Sequence, residues 1–328
     1  MHQHFSIYTA ILLFGAAGCS SSSDAMTPYS SPPPVNQNRK AYVGLFGDSA
    51  VGVLDTVTDQ VVKKIPVTQP DGLIITPDGK KVYVSSMDTG SVKVITTADD
   101  AVATSIDVGS KPAGLAITPD GSRVVVAVGG TNEAVIVDTS TDAIVKHIPV
   151  PAAHASCITA DGRYAYVASQ ATDAPAVVEI DITGDVAPKS MPVDKSPRML
   201  SCTANKIYFT AVGLDAVEVL DPVTGKLATP IASGGSPHDV RATADGKFEL
   251  AVSQTAGDLE FIDSTTDMVV ATVPTGKLAH WITFFPDGSG VYVTDEGDNN
   301  VVTVDLTSRT VTKTIAIGNA PRKMAIQP

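Results

Sequence analysis

The hydrophobic pattern of this chain consists of short apolar runs separated by turn residues. In the stretch Gly72 to Ser86, two β-rich runs, GLIIT and KKVYVSS, flank a Pro-Asp-Gly sequence. Pro77 fixes φ at the first corner of a tight turn, and Gly79 tolerates a positive φ. The stretch therefore predicts a β-hairpin.

This hairpin recurs along the chain. Its turn residue returns every 40 to 44 residues, at Asp78, Asp120, Asp161, Asn205, Asp245 and Asp287. After each turn come one strand, a second strand ending near Asp or Thr, a third strand, and a short fourth strand that leads into the next turn. Four strands in about 40 residues are typical of a β-propeller blade. The sequence therefore predicts an all-β fold of four-stranded blades.

The two ends of the repeat region are expected to share one blade. The segment NRKAYVGLF, Asn38 to Phe46, matches the strand that follows each turn, whereas the C-terminal PRKMAIQP matches the strand that precedes one. Six complete units and this composite unit predict a seven-bladed β-propeller. The ring is closed by the C-terminal strand joining the N-terminal blade, which removes an open sheet edge.

The units TPDGKKVYVSS, TPDGSRVVVAV and FPDGSGVYVTD resemble the YVTN-type seven-bladed β-propeller repeat, and Tyr292 to Asp295 come closest to the motif of that name. The resemblance extends from Asn38 to Pro328 and implies an extracytoplasmic propeller. Members of that family include surface-layer proteins and lactonase-like proteins. The resemblance therefore indicates a fold and leaves the function open.

The N-terminal residues have a different character. Phe5 to Phe14 form an apolar run too short to span a bilayer as a permanent helix, and small residues lead from it to Cys19. This resembles a bacterial lipoprotein signal peptide, which implies cleavage before Cys19 and lipidation of that cysteine. An ordinary signal peptide cut nearby is the alternative, and both imply export. Within the resemblance, Ser20 after the cysteine favours the outer membrane.

Composition completes the domain organisation. Residues 19–37 follow the signal peptide (1–18) as a lipidated cysteine and a Ser/Pro-rich, disordered tether, and residues 38–328 form the propeller. The formal charge of −12 disfavours nucleic acid as a partner, because counterion release needs a basic surface. The expected partners are the membrane, through the lipid anchor, and a ligand or envelope protein bound by a monomer.

The main candidate site lies where the innermost strands start, because these starts ring one end of a propeller's central channel. The equivalent positions, blade by blade, are Asp71, Ala113, His154, Arg198, His238, His280 and Arg322. Of the six histidines, two lie in the signal peptide and one, His147, in an outer strand; the other three all occupy this position. The scaffold does not require histidine there, since Ala113 serves in blade 3.

Two interpretations of these residues remain open. In the first, His154, His238 and His280 converge on a metal ion (zinc, copper, nickel or iron), and Arg198 and Arg322 bind a carboxylate or phosphate. In the second, the side chains cap strand ends and line a wet channel. Trp281, which follows His280, either stacks on a ligand or packs between blades.

Cys157 and Cys202 lie on the innermost strands of neighbouring blades, at offsets of opposite parity. Their side chains are therefore able to face each other across the blade interface. A disulfide, which an oxidising compartment favours, and a pair of buried thiols are both compatible with this placement.

The chain shows no phosphate-binding glycine loop, no paired-cysteine zinc spacing and no nucleophile-elbow serine, which disfavours an enzyme. The sequence thus predicts a cell-envelope lipoprotein that binds a small anionic ligand or a protein through the top face of its propeller. The alternatives are a metal-dependent hydrolase or lyase with a three-histidine site, and a surface-layer structural protein.

Overall fold

The computed structural model describes residues 39–328. The predicted signal peptide and tether, with Cys19, lie outside the described residues. The described chain forms seven four-stranded antiparallel sheets and contains one short 3-10 helix, Phe46–Asp48. The prediction of a seven-bladed β-propeller is confirmed. Within this range no helix has the length and apolar character needed to cross a bilayer.

Within each blade the strands are ordered from the innermost to the outermost. Blade 1 contains β28 (Pro321–Ile326), β1 (Lys40–Leu45), β2 (Ala50–Asp55) and β3 (Gln60–Pro66). Blade 2 contains β4 (Pro70–Ile75), β5 (Lys81–Ser86), β6 (Ser91–Thr96) and β7 (Ala101–Asp107). Blade 3 contains β8 (Pro112–Ile117), β9 (Arg123–Val128), β10 (Glu133–Asp138) and β11 (Ala143–Pro149). Blade 4 contains β12 (Ala153–Ile158), β13 (Tyr164–Ser169), β14 (Ala176–Asp181) and β15 (Lys189–Pro192).

The remaining three blades follow the same order. Blade 5 contains β16 (Pro197–Cys202), β17 (Ile207–Ala211), β18 (Ala216–Leu220) and the short β19 (Ile231–Ala232). Blade 6 contains β20 (Pro237–Ala242), β21 (Phe248–Ser253), β22 (Asp258–Asp263) and β23 (Met268–Pro274). Blade 7 contains β24 (Ala279–Phe284), β25 (Gly290–Asp295), β26 (Asn300–Asp305) and β27 (Thr310–Ala316).

The Pro-Asp-Gly turns are held by local side-chain bonds. In blade 2 the Asp78 carboxylate accepts hydrogen bonds from the Thr76 hydroxyl (2.6 Å) and the Lys80 amide (3.1 Å). These bonds lower the pKa of Asp78 to about 2. Gly79 adopts φ of 70°, a left-handed conformation that favours glycine. These local bonds favour the Thr-x-Asp-Gly sequence, which four of the six turns carry. The other two turns differ, with Asn205-Lys206 in place of Asp-Gly in blade 5 and Phe285 in place of Thr in blade 7.

The termini close the ring as predicted. β28 pairs antiparallel with β1, and each innermost strand contacts the next around a complete circle. Pro328 lies against Gly79 in the same way that Pro77 lies against Gly121 one blade further on. The C-terminal proline therefore occupies the place of the turn proline in blade 1, although the chain ends there.

Neighbouring blades are joined by a repeated polar contact beside their apolar faces. In blade 2, Lys81 forms an ion pair with Asp142 of blade 3 (2.8 Å), and the Tyr83 hydroxyl donates to the same carboxylate. Asp142 has φ of 54° in the turn between β10 and β11. The same contact recurs at Lys40, Tyr42 and Asp100, and at Lys206, Tyr208 and Asp267. This contact thus joins blades 1 and 2, blades 2 and 3, and blades 5 and 6 at one end of their interfaces.

Candidate functional site

Every innermost strand carries a β-bulge near its start. In blade 7, Ala279 pairs with Asp295 and Trp281 with Thr294, so that His280 has no partner between them. A bulge bends its strand and re-aims the unpaired side chain. The seven predicted positions all lie at such bulges and are called the bulge ring: Asp71, Ala113, His154, Arg198, His238, His280 and Arg322.

One side of the bulge ring forms a connected ionic network. The Arg322 guanidinium contacts Asp71 (3.2 Å) and Glu296 (3.3 Å), and it stacks on the Phe46 ring at 3.5 Å from the ring centroid. Glu296 also lies 3.6 Å from Nε2 of His280. Arg322 of blade 1 thus contacts Asp71 of blade 2 directly. The Glu296 carboxylate links Arg322 to His280 of blade 7. The positive charge of Arg322 is therefore already paired with neighbouring carboxylates.

The histidines of blades 6 and 7 stack on each other. The ring centroids of His238 and His280 are 3.8 Å apart with the planes tilted by 36°. Both side chains are buried, and neither Nδ1 atom has a hydrogen-bond partner among the described residues. Burial lowers the pKa of both rings well below the usual value, with Arg198 and Lys323 lowering it further. Burial likewise lowers the pKa of His154 to about 4, although Asp71 raises it. All three rings are therefore neutral at pH 7.

The three-histidine metal site was one of the two interpretations that the sequence left open. Within residues 39–328 no group of three or more His, Cys, Asp or Glu side chains is arranged to hold a metal ion. The stacking of His238 on His280 gives the physical reason. Two imidazoles bound about 2 Å from one tetrahedral ion would hold their centroids about 5 Å apart, further than the stacked pair. His154, His238 and His280 therefore share the ring without sharing a zinc, copper, nickel or iron site.

Lys323 is a charged residue beside the bulge ring that the sequence reasoning missed. It follows Arg322 in β28 and is only 2 % exposed, yet its ammonium makes no hydrogen bond or ion pair with any residue in the described range. It lies 4.7 Å from the ring centroid of Trp281, which Arg241 also contacts at 4.0 Å. A signal was available in the sequence, because the next position after the ring residue is Gly72 in blade 2 and Gly114 in blade 3.

The charges around the bulge ring do not balance. Arg198 makes a single contact of 3.4 Å, with the neutral amide of Gln254, and Arg241 is paired with the buried Asp239 (3.2 Å). Apart from that pair, three cations face two carboxylates: Arg198, Arg322 and Lys323 against Asp71 and Glu296. These groups leave one net positive charge at the bulge ring of a chain whose net charge is −12. This arrangement attracts an anion.

The cysteine pair lies away from this charged cluster. Cys157 and Cys202 are joined as a disulfide with a Cα–Cα distance of 5.6 Å, linking the innermost strands of blades 4 and 5. The opposite parity of their offsets, read from the sequence, corresponds to this facing geometry. The bond covalently ties two blades of the ring together.

Fold and site together define a seven-bladed β-propeller with a polar, cation-rich ring at one end of its axis. The chain belongs to the YNCE-like beta-propeller family, which matches residues 45–326. This family is related to the YVTN-type propellers that the repeat units resemble. A comparison with curated protein sequences gave no match.

Solved structures share the fold at low sequence identity. The chain is similar to hydrazine synthase of Kuenenia stuttgartiensis, with 21% identity, 80% of this chain and 91% of that chain covered, and a TM-score of 0.73. It is similar to a putative 6-phosphogluconolactonase from Bacteroides fragilis (18%; 90% and 99%; 0.72). It is also similar to the periplasmic gluconolactonase of Pseudomonas aeruginosa (16%; 88% and 99%; 0.71). These likenesses show the fold alone.

Proposed function

We propose that this protein is a ligand-binding propeller of the bacterial cell envelope whose bulge ring takes up a small molecule bearing carboxylate or phosphate groups. Lys323 carries this proposal. Its side chain is 2 % exposed, and its ammonium makes no hydrogen bond or ion pair with a described residue. Burial lowers the pKa of Lys323, although the charges of Asp71 and Asp239 raise it, so the buried charge is only partly compensated and costs free energy. A bound anion would compensate that charge, so ligand binding gives the lysine a role that folding alone does not.

Each ring residue has a place in this proposal. Arg198 and Lys323 supply the positive charge that lacks a partner, and Arg198 offers the bidentate geometry that suits carboxylate and phosphate. The neutral rings of His238 and His280 present further polar atoms without added charge. Arg322 is held by Asp71 and Glu296 and acts as a positioning residue. No catalytic step belongs to this proposal.

Removing either free cation is expected to abolish most of the affinity. Arg198→Gln and Lys323→Met should each weaken binding of citrate or inorganic phosphate at least tenfold in isothermal titration calorimetry at low salt, because each removes a charge-assisted contact. Lys323→Met should also raise the free energy of unfolding, since an apolar side chain replaces a buried charge. Lys80→Gln, an exposed lysine in a turn at the other end of its blade, is the matched control.

The outcomes separate binding from structure. Affinity that stays at the wild-type level in both variants would contradict the proposal, as would wild-type protein that binds neither anion. Loss of affinity that occurs equally in Lys80→Gln would indicate general screening of charge rather than a site.

We also propose the cellular location from the N-terminal segment. The apolar run before Cys19 supports export, and lipidation of Cys19 would anchor the protein in the envelope, with the outer membrane favoured by Ser20. A protein of the envelope remains the alternative partner for the ring. The Cys19→Ser variant is expected to leave the membrane fraction for the soluble fraction. Its retention in membranes after a high-salt wash would refute the anchor.

A further inference from the structure

The hairpin between β25 and β26 of blade 7 contains buried oxygen atoms without donors. Asp295 ends β25 and Asn300 starts β26, and the two residues are direct cross-strand partners, whose side chains lie on the same face. Asp295 is fully buried. Both of its carboxylate oxygens, and Oδ1 of Asn300, have no hydrogen-bond partner among the described residues. Three acceptor atoms on this face of the hairpin therefore have no donor among the described residues.

The other blades show that this is a departure from the scaffold. In blades 2, 4 and 6 the last residue of the second strand is a serine that donates its hydroxyl hydrogen to a backbone carbonyl, at 2.5 to 2.6 Å: Ser86, Ser169 and Ser253. An ionised carboxylate has no hydrogen to donate. In blade 7 the serine hydroxyl donor is therefore replaced by the two acceptor oxygens of Asp295. The fold itself does not need these acceptors.

The neighbouring loop leaves space beside this carboxylate. A Cβ atom on Gly276 would lie 2.6 Å from Oδ2 of Asp295 and 3.0 Å from Oδ2 of Asp298. Gly276 is not in the left-handed region of φ, so the backbone does not demand glycine there. The Thr275 hydroxyl lies 3.4 Å from the carbonyl of Gly257 and is also near enough to the Asp295 carboxylate to lower its pKa. Glycine thus keeps a small oxygen-lined space open between the two carboxylates.

A cavity of about 620 Å³ lies beside this space and shares Gly276 and Asp298 with it. It is lined by the loop of blade 6 from Gln254 to Gly257, by the segment Pro274 to Leu278, and by Asp298. Asp298 accepts a hydrogen bond from the amide of Lys277 (2.8 Å), and the mostly exposed Lys277 ammonium lies 3.8 Å from its carboxylate. No ammonium or guanidinium group among the described residues pairs with Asp295.

We propose that this hairpin binds a divalent cation of the calcium type through the side-chain oxygens of Asp295, Asn300 and Asp298, with water from the cavity completing the shell. Oxygen donors without histidine or thiolate suit calcium and magnesium rather than zinc or copper. Calcium tolerates irregular geometry, whereas magnesium demands a near-ideal octahedron, so calcium fits an asymmetric hairpin better. This site is separate from the bulge ring and independent of its ligand.

The competing occupant is a proton. Burial raises the pKa of Asp295 to about 7, the Thr275 hydroxyl lowers it, and the charge of Asp298 raises it further. A protonated Asp295 would need no cation. The two occupants differ in their pH dependence, because a bound cation competes with the proton and is therefore held more tightly as the pH rises above 7.

The test is thermal unfolding of the full mature protein, stripped with chelator and titrated with calcium chloride at pH 8. Calcium at one hundred times its dissociation constant is expected to raise the melting temperature by about 5 °C. Asp295→Ser should abolish this shift while folding normally, because serine is the residue that blades 2, 4 and 6 carry at this place. Asp88→Ser, in the corresponding loop of blade 2, should keep the full shift.

Two results would overturn the proposal. One is a wild-type melting temperature that does not respond to calcium, with Asp295→Ser more stable than wild type above pH 7; Asp295 then simply holds a proton. The other is a calcium shift that persists in Asp295→Ser, which places the ion elsewhere. A smaller shift with magnesium than with calcium is expected, and the reverse order would refute the assignment to calcium.

Discussion

Deletion of residues 321–328 is expected to abolish cooperative folding of the propeller. β28 supplies the innermost strand of blade 1, and its loss exposes the edge of β1 and opens the ring between blades 7 and 2. Met324 is 2 % exposed, and its carbonyl accepts hydrogen bonds from the Trp281 indole (3.2 Å) and the Thr283 hydroxyl (2.8 Å). The deletion is therefore expected to lower the free energy of unfolding by about 5 kcal/mol or more, which approaches the whole stability of a typical domain.

Circular dichroism during heating measures this effect, and a circular permutant gives its control. In the permutant the chain starts at Pro321, continues from Pro328 through an inserted Asp-Gly to Arg39, and ends at Ala320. Because Pro328 already occupies the place of a turn proline, the insertion should complete a normal Pro-Asp-Gly turn. The permutant is expected to melt like wild type. A sharp transition in the truncated chain would show that ring closure is dispensable.

Reduction of the Cys157–Cys202 disulfide is expected to lower the free energy of unfolding by about 3 to 4 kcal/mol. The bond closes a loop with a sequence separation of 45 residues, and cross-linking such a loop removes a corresponding amount of entropy from the unfolded chain. Reduction therefore acts mainly by increasing the conformational entropy of the unfolded state, while the native blades keep their strand pairing.

Urea unfolding with and without reductant measures this loss. A double variant, Cys157→Ala with Cys202→Ala, should be insensitive to reductant and should unfold close to the reduced wild type. Two titratable thiols in wild-type protein denatured without reductant would contradict the bond and restore the alternative of two free cysteines.

Much of the fold was predictable because one local rule is repeated. Each Pro-Asp-Gly turn is fixed by residues within five positions of it, so the spacing of the turns counted the blades and the two partial units at the ends showed how the ring closes. The N-terminal prediction concerning Cys19 lies outside the described residues and stays a prediction.

The candidate site was predictable in position and less so in chemistry. The repeat placed His154, His238 and His280 at one equivalent offset, where the structure has a bulge in every blade. It could not show how far apart their rings lie, since convergence depends on the radius of the ring. The burial of Lys323 could not be predicted, because the residues that surround it in the folded ring come from other blades and are not adjacent to it in the sequence.

The oxygen-lined hairpin of blade 7 was harder still to foresee. In the sequence, Asp295 is one more polar residue in a turn. Its role as a candidate ligand becomes apparent only from the positions of Asn300 across the strand pair and of Gly276 in another loop. Comparison with Ser86 in the equivalent place of blade 2 is what marks it as a departure, and that comparison needs the register of the sheets.

The shared blade at the termini also determines which end of the propeller axis is joined to the N-terminal segment. β1 starts at Lys40, beside the end of β28, and runs towards the end of the axis where Arg322 lies. Arg39, the first described residue, is therefore at the pole of the propeller opposite the bulge ring. Anything attached ahead of Arg39 is attached to that far pole. A lipid at Cys19 would anchor the propeller by the end opposite the bulge ring and leave the bulge ring accessible to ligands.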